Sequence, residues 1–280
     1  MEVLELINNG SNLLKDKNIL SHQLDSEILL SRVLNKTREE LLTHLTKKVK
    51  TSSINKFKKL VGRRSLKEPI AYILREKEFW SKSFLVNKNV LIPRPETELM
   101  VEKIVKIFNS KDIFILDIGT GTGCIILSIL SELKNSTGIG IDISKKAIEV
   151  AKINQKKHNL IKQVKFFQKS LDEINIKKFD LIVSNPPYIR RKDLKNLDED
   201  IKKFEPKLAL DGGNDGLDVI RKVIYKSRSI LKVKGMLALE IGNEQFKKVS
   251  KILRSNNFKT RYLVKDYREN IRCILSTLEK

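Results

Sequence analysis

The stretch "LDIGTGTGC", Leu116 to Cys124, joins one apolar run, "IFILDIG", to another, "GCIILSILSEL". The first run is short, β-branched and closed by glycine, which reads as a strand buried on both faces; the second has a helical period. Gly119, Gly121 and Gly123 let the backbone turn tightly and let a ligand approach without interference from a Cβ. Nineteen residues beyond Gly123, Asp142 ends a second strand, "GIGIDIS". In a right-handed βαβ unit that carboxylate lies beside the turn, where it can accept both hydroxyls of a ribose. The pattern predicts a nucleoside-type ligand.

Outward from this turn the periods keep alternating. A helix at "KKAIEVAKINQKKHN" is followed by strands at "QVKFFQ" and "FDLIVSN", a helix from Leu217 to Leu231 and a strand at "GMLALEIG". A helix near Glu244–Arg254 and two last strands, "FKTRYLVKD" and "IRCILSTL", complete the series. Strands alternating with helices imply a doubly wound, mostly parallel sheet covered on both faces. The short link between the last two strands makes one of them antiparallel. Residues 1–75 read as helices, with Leu24, Ile28, Leu29 and Val33 on one stripe of "LDSEILLSRVLN". Ser52 or Ser53 is expected to cap a basic helix ending near Gly62. Alternation in "KEFWSKSFLVNKNVLIP" predicts a β-hairpin connector, and Pro95 suits the first turn of a helix in which Leu99, Met100 and Ile104 face inward. The expected organisation is a helical domain (1–75), a hairpin linker (76–93) and an α/β domain (94–280).

Two ligands fit the glycine turn, a nicotinamide dinucleotide and S-adenosylmethionine. A dinucleotide needs a second mononucleotide-binding half; here the fourth strand ends instead in "SNPPYIRR", Ser184 to Arg191. Prolines fix the direction of the chain and hold the preceding residue extended. Asn185 Oδ1 and the Pro186 carbonyl are thereby placed as two acceptors for the hydrogens of a planar nitrogen, and Tyr188 can stack on its plane. Such a site turns the nitrogen lone pair toward an electrophilic methyl, so catalysis is mainly positioning. The motif predicts methylation of an amino or amide group without deciding which.

The composition restricts the alternatives. Of 280 residues, 40% are hydrophobic, which supports a core, and no apolar run approaches the ~20 residues of a membrane span. "MEVLELINNG" has no basic-then-apolar pattern, so no secretory leader is expected. Cys124 and Cys273 are far apart, and His22, His44 and His158 are scattered, so neither a disulfide framework, a metal site nor a histidine triad is expected. A reduced, cytoplasmic setting follows. The 56 basic and 34 acidic residues give +22, and residues 41–70 carry nine Lys or Arg against one Glu. That segment is a candidate for contact with an acidic partner, RNA or the ribosome, although a biased genome explains the lysines as well.

"NPPYI", "LDIGTGTG", "LIPRPETE" and "EPIAYILREKEFW", together and in this order, resemble the release factor glutamine N5-methyltransferases (the PrmC or HemK family), from "LDSEILLSRVL" to "LALEIG". The resemblance implies a class I, Rossmann-like, seven-stranded methyltransferase domain. It implies S-adenosylmethionine as donor, leaving as S-adenosylhomocysteine, and the glutamine of the Gly-Gly-Gln loop of peptide chain release factors as acceptor. By position, Gly119, Thr120, Gly121, Thr122, Gly123, Asp142 and Asn185 hold the cofactor, and Asn185, Pro186, Pro187 and Tyr188 bind the glutamine amide. Ser170 and Leu171 stand where the family often has an acidic-aromatic pair. The competing readings are an N-methyltransferase for a nucleobase amine in RNA or DNA and a non-catalytic nucleic-acid-binding module.

Overall fold

The computed structural model describes residues 1–175 and 179–279. The chain forms two compact units, Met1–Glu76 with Asp198–Phe204, and Lys77–Leu197 with Glu205–Lys280.

The smaller unit begins with α1 (Val3–Lys15), α2 (His22–Leu34), α3 (Arg38–Leu42), α4 (Thr51–Ser65) and α5 (Ile70–Leu74). Leu6, Ile7, Leu14, Leu29, Leu30, Phe57 and Val61 form its core. The stripe expected on α2 is displaced: Leu24 is exposed, Val33 is half-buried, and Asp25, Ser26, Leu29 and Leu30 face inward. The cause is polar. Ser26 Oγ donates to the Ile7 carbonyl at 2.8 Å, and the Asp25 carboxylate pairs with Arg64 Nε at 2.7 Å. A side chain on Gly10 of α1 would stand 2.5 Å from Ser26 Oγ, so the two helices meet at small residues. The basic helix also differs from expectation. Lys50, not Ser52 or Ser53, precedes α4, and α4 runs through Gly62 to Ser65 because that glycine meets no neighbour and its helix continues on Phe57 and Val61.

The larger unit opens within the hairpin β1 (Glu76–Phe79, of which Glu76 falls in the smaller unit) and β2 (Lys82–Leu85), turned by Trp80 and Ser81, both at positive φ. It is no free connector. Phe79 and Phe84 are fully buried in the core of this unit, and the backbone of Leu85 exchanges hydrogen bonds with the side chain of Asn154.

There follow α6 (Pro95–Phe108), β3 (Phe114–Ile118), α7 (Cys124–Glu132), β4 (Thr137–Asp142), α8 (Lys145–Lys157), β5 (Val164–Gln168) and β6 (Phe179–Ser184). Then comes α9 (Glu199–Phe204), which belongs to the smaller unit, and after it, in the larger one, α10 (Asp218–Ile230), β7 (Leu231–Glu240), α11 (Phe246–Ser255), β8 (Phe258–Lys265) and β9 (Ile271–Leu278). The seven-stranded sheet has the order β5-β4-β3-β6-β7-β9-β8, with β9 antiparallel to both its neighbours. Alternate residues of the central strands enter different clusters. Ile115, Leu181 and Val183 pack with α6, α7 and α8, while Leu116, Ile182 and Leu237 pack with α10 and α11. Both faces are therefore covered, as a parallel sheet requires.

Removing Asp25 leaves the buried guanidinium of Arg64 without its carboxylate, a change that typically costs about 3–5 kcal/mol. Asp25→Ala should therefore lower the melting temperature of the helical unit, followed by circular dichroism. An unchanged melt would mean that the pair does not hold α2 to α4.

Candidate functional site

The order of the sheet reverses between β3 and β6, and ligands of open α/β sheets bind at that point, beyond the carboxyl ends of the strands. Here β3 pairs in parallel with β4 on one side and β6 on the other, and β6 with β7. The ends of four adjacent strands thus bring Asp142, the 119–123 turn, Asn185 and Glu240 to one edge.

The turn is held from below. The amides of Gly119 and Thr120 both donate to the Ile141 carbonyl at 2.9 Å, and the Gly121 amide donates to Asp142 Oδ2 at 3.0 Å. Gly119, Gly121 and Gly123 all have positive φ. A Cβ on Gly119 would meet nothing within 4 Å, whereas one on Gly123 would press on Leu127 and Phe166 at 3.0 and 3.1 Å. The front of the turn is open and its back is packed. Thr120 and Thr122 are buried, and their hydroxyls are committed inward: Thr120 donates to Asp117 Oδ2 at 2.7 Å, and Thr122 accepts from the Cys124 amide at 3.2 Å. What they offer a ligand is backbone. Asp142 Oδ1 accepts from the Ser144 amide at 2.9 Å. Burial raises its pKa, and these amide bonds oppose the rise. Each of its oxygens retains acceptor capacity. An open glycine cradle with a carboxylate beside it fits a nucleoside carrying a ribose.

The second turn is clamped along its backbone. Pro186 is buried, and Asn185, Pro187 and Tyr188 are half-buried. Ile189 donates to the Leu210 carbonyl and accepts from the Gly212 amide, at 3.2 and 2.8 Å. Gln245 Nε2 bridges the carbonyls of Tyr188 and Gly216 at 2.9 and 3.2 Å. Gly216 has φ +77°, and a Cβ there would lie 2.5 Å from the Tyr188 carbonyl oxygen. The segment 210–216, which leads into α10, and Gln245 at the start of α11 thus brace "NPPY". Arg94 Nη2 pairs with the buried Glu205 carboxylate at 2.7 Å, which ties "IPRPETE" to the chain just before that segment. On the far side, Ser170 caps a 3-10 turn, Leu171–Glu173, in which Leu171 packs half-buried on the α10 side of the core.

Two residues at the site were missed in the sequence. Thr97, in the first turn of α6, donates to Glu240 Oε2 at 2.6 Å, and Asn185 Nδ2 donates to Thr97 Oγ1 at 3.4 Å. The Tyr188 hydroxyl stands 3.5 Å from Glu240 Oε1. Thr97 and Glu240 are each 2% exposed. An acid ending the apolar run "LALEIG" was the available signal, since such a residue lies at the carboxyl edge beside Asn185. Burial pushes the Glu240 carboxyl up to about 7, opposed by the Thr97 bond and by Arg272. Burial likewise raises Asp117 to about 7 and the Tyr188 hydroxyl to about 12. Among the described residues no cluster of three or more His, Cys, Asp or Glu could hold a metal ion, and no helix is long and apolar enough to cross a membrane.

Comparison with known proteins identifies both parts of the chain. The family model for the PrmC N-terminal domain matches residues 5–74, and a methyltransferase-domain model matches residues 109–272. The chain is 38% identical over 282 residues to the release factor glutamine methyltransferase of Clostridium acetobutylicum, covering 99% of this chain and 98% of that one. It is 35% identical over 292 residues to the bifunctional methyltransferase of Rickettsia typhi; the match takes in 97% of this chain and 56% of the relative, so the chain spans little more than half that protein's length. Among solved structures, the hMettl16 catalytic domain, in complex with MAT2A 3'UTR hairpin 6, has a TM-score of 0.58 at 16% identity, over 79% of this chain and 82% of that one. That likeness is one of fold. The larger unit has the class I S-adenosylmethionine-dependent methyltransferase fold.

The buried carboxylate at β7 has a consequence for stability. In the folded protein Glu240 keeps its proton to about pH 7 against an ordinary value of 4.5. The folded state therefore binds more protons than the unfolded one in that window, and stability falls as pH rises through it. Glu240→Gln removes the ionisation and should melt above the wild type at alkaline pH, by a difference on the order of 2–3 kcal/mol. The gap should close on acidification, as read by melting curves across pH. A gap independent of pH would show that the Glu240 carboxyl ionises alike in the folded and unfolded chain.

Proposed function

The chain belongs to the release factor glutamine methyltransferase family, and we propose that it methylates the side-chain amide nitrogen of the glutamine in the Gly-Gly-Gln loop of peptide chain release factors. The observation that carries this reading is the convergence of the open glycine turn, Asp142 and the clamped Asn185–Tyr188 turn on adjacent strand ends of one sheet. Bound at the glycine turn, S-adenosylmethionine supplies an electrophilic sulfonium methyl and departs as S-adenosylhomocysteine. The backbone of Gly119, Thr120, Gly121, Thr122 and Gly123 would cradle it, and Asp142 would accept hydrogen bonds from its ribose hydroxyls.

The acceptor side follows from the chemistry of an amide. Its nitrogen lone pair is delocalised, and the nitrogen carries two hydrogens. Asn185 Oδ1 and the Pro186 carbonyl take one hydrogen each, which leaves the lone pair aimed at the crevice. Tyr188 covers the plane of the amide, and Pro187 keeps the turn from relaxing. No side chain is needed as a base before attack, because the nitrogen sheds its proton once the new bond has made it cationic. Orientation of this kind is worth up to about 7–11 kcal/mol in favourable cases.

The helical unit is the part proposed to recognise the release factor. Its exposed Lys47, Lys48, Lys50, Lys56, Lys58 and Lys59 form a basic surface within segment 41–70. A weak contact with RNA or the ribosome through these lysines is part of the same reading, as is a cytoplasmic location beside the translation machinery.

Labelled S-adenosylmethionine offered with intact release factor and, separately, with bulk RNA should label the protein and not the RNA. The reverse result would replace this reading with a nucleobase methyltransferase. Asn185→Ala should reduce single-turnover transfer on the order of a hundredfold or more while cofactor affinity stays within a few-fold. Asn185→Asp keeps an acceptor and should lose less. Near-normal transfer by folded Asn185→Ala would mean that the amide is oriented elsewhere. Asp142→Ala should weaken S-adenosylmethionine about tenfold or more, since it removes charge-assisted bonds to two hydroxyls. Calorimetry showing unchanged affinity would remove Asp142 from the site.

A further inference from the structure

An asparagine amide presents an acceptor and a donor of nearly equal size, and a half-turn about its last bond exchanges them. The acceptor role proposed for Asn185 is served by Oδ1 alone. Were Nδ2 to face the crevice, two sets of N–H donors would oppose each other and no hydrogen bond would form. Something must therefore hold the amide in one of its two orientations.

The neighbours of Asn185 contain such a device. Thr97 Oγ1 lies 2.6 Å from Glu240 Oε2, a separation typical of a hydroxyl donating to a carboxylate. A hydroxyl has one hydrogen, so once that hydrogen serves Glu240 the Thr97 oxygen can only accept. It lies 3.4 Å from Asn185 Nδ2, and catalytic hydrogen bonds are often this long before a ligand arrives. With Nδ2 drawn to Thr97, Oδ1 is left for the crevice. We propose that Thr97 and Glu240 are positioning residues whose hydrogen-bond relay, Asn185 to Thr97 to Glu240, selects the amide orientation in which Asn185 Oδ1 faces the acceptor nitrogen. This deepens the function proposed above and rests on its assignment of Asn185.

The relay runs in this direction when Glu240 is ionised. A protonated Glu240 can itself donate to Thr97, which frees the Thr97 hydrogen to point at Asn185 and favours the flipped amide. The groups that face Glu240, besides Thr97, are Glu96 on α6, Cys124 on α7, Asn185 and Tyr188 on the turn after β6, and Arg272 and Cys273 on β9. The Arg272 guanidinium and a hydrogen bond from the Asn185 amide favour the ionised form, the latter in the same orientation of that amide, and the Glu96 carboxylate opposes it. With burial lifting Glu240 to about 7, the switch falls near neutral pH.

The test compares Thr97→Val, Thr97→Ser, Glu240→Gln and Asn185→Ala in the full chain, with intact release factor as acceptor. Thr97→Val should lower the single-turnover rate at saturating substrate about tenfold or more, with KM for release factor and the affinity for S-adenosylhomocysteine within about threefold of wild type. Thr97→Ser, which restores the hydroxyl, should recover most of the rate. The wild-type rate should fall as pH drops through neutrality, and Glu240→Gln, the same shape without a titrating proton, should abolish that limb. A Thr97→Val chain that folds and transfers at the wild-type rate overturns the relay if Asn185→Ala is inactive; so does a Glu240→Gln chain with the wild-type pH profile, a readout that survives if Thr97→Val does not fold. An active Asn185→Ala sinks both the relay and the reading beneath it.

Discussion

The parallel pairing of β3 with β6 is the contact on which the site depends. These two strands sit side by side although α7, β4, α8 and β5 separate them in the chain. Parallel neighbours end at the same edge, so the glycine turn and the Asn185 turn must emerge together. The chain leaves β3 for helices on one face of the sheet and reaches α10 on the other after β6, which opens a crevice between the two turns. Ser184, at the last position of β6, donates to the Ile118 carbonyl at 2.8 Å and fastens the two strand ends just where they diverge. A slip of one register position would move every alternating core residue to the wrong face, so the same packing that stabilises the sheet sets the separation of the two turns.

At that edge the protein accepts buried charge. Asp117 is fully buried and its Oδ1 has no hydrogen-bond partner among the described residues, while Glu240 is bonded by Thr97 and faced by Arg272. Carboxylates in such surroundings are held toward the neutral form and weaken the fold when they ionise. Their placement at the ends of β3 and β7, beside the two turns, matches the general pattern in which stability is traded for preorganised polar groups at a working site.

Rigidity of the Asn185–Tyr188 turn comes from a distant part of the chain. Two prolines restrict its dihedral angles, but the bonds from Gly212 and Gln245, and the glycine that lets the backbone approach the Tyr188 carbonyl, lie in the 210–216 segment before α10 and at the start of α11. The salt bridge between Arg94 and Glu205 adds the segment before α6 to the same assembly. Small errors in placement are expensive in a site that works by orientation, which accounts for so much structure around four residues.

The order of elements in the larger unit, its parallel character with one reversed strand, the glycine turn and the Asn185 turn could all be read from local pattern, because alternating periods and turn residues are properties of contiguous stretches. In the smaller unit local pattern misled. The amphipathic stripe of α2 pointed to Leu24 and Val33, but Ser26 and Asp25 turn inward because partners on α1 and α4 supply a carbonyl and a guanidinium. The partnership of Thr97 with Glu240 lay beyond sequence reading for the same reason, although the strand-end acid itself was visible. The two are 143 positions apart, and each looks like an ordinary helix-start threonine or strand-end acid until the sheet order sets β7 beside β6 and α6 packs against β7. Hydrogen-bond partnership between distant side chains depends on topology, and only the folded chain assembles it.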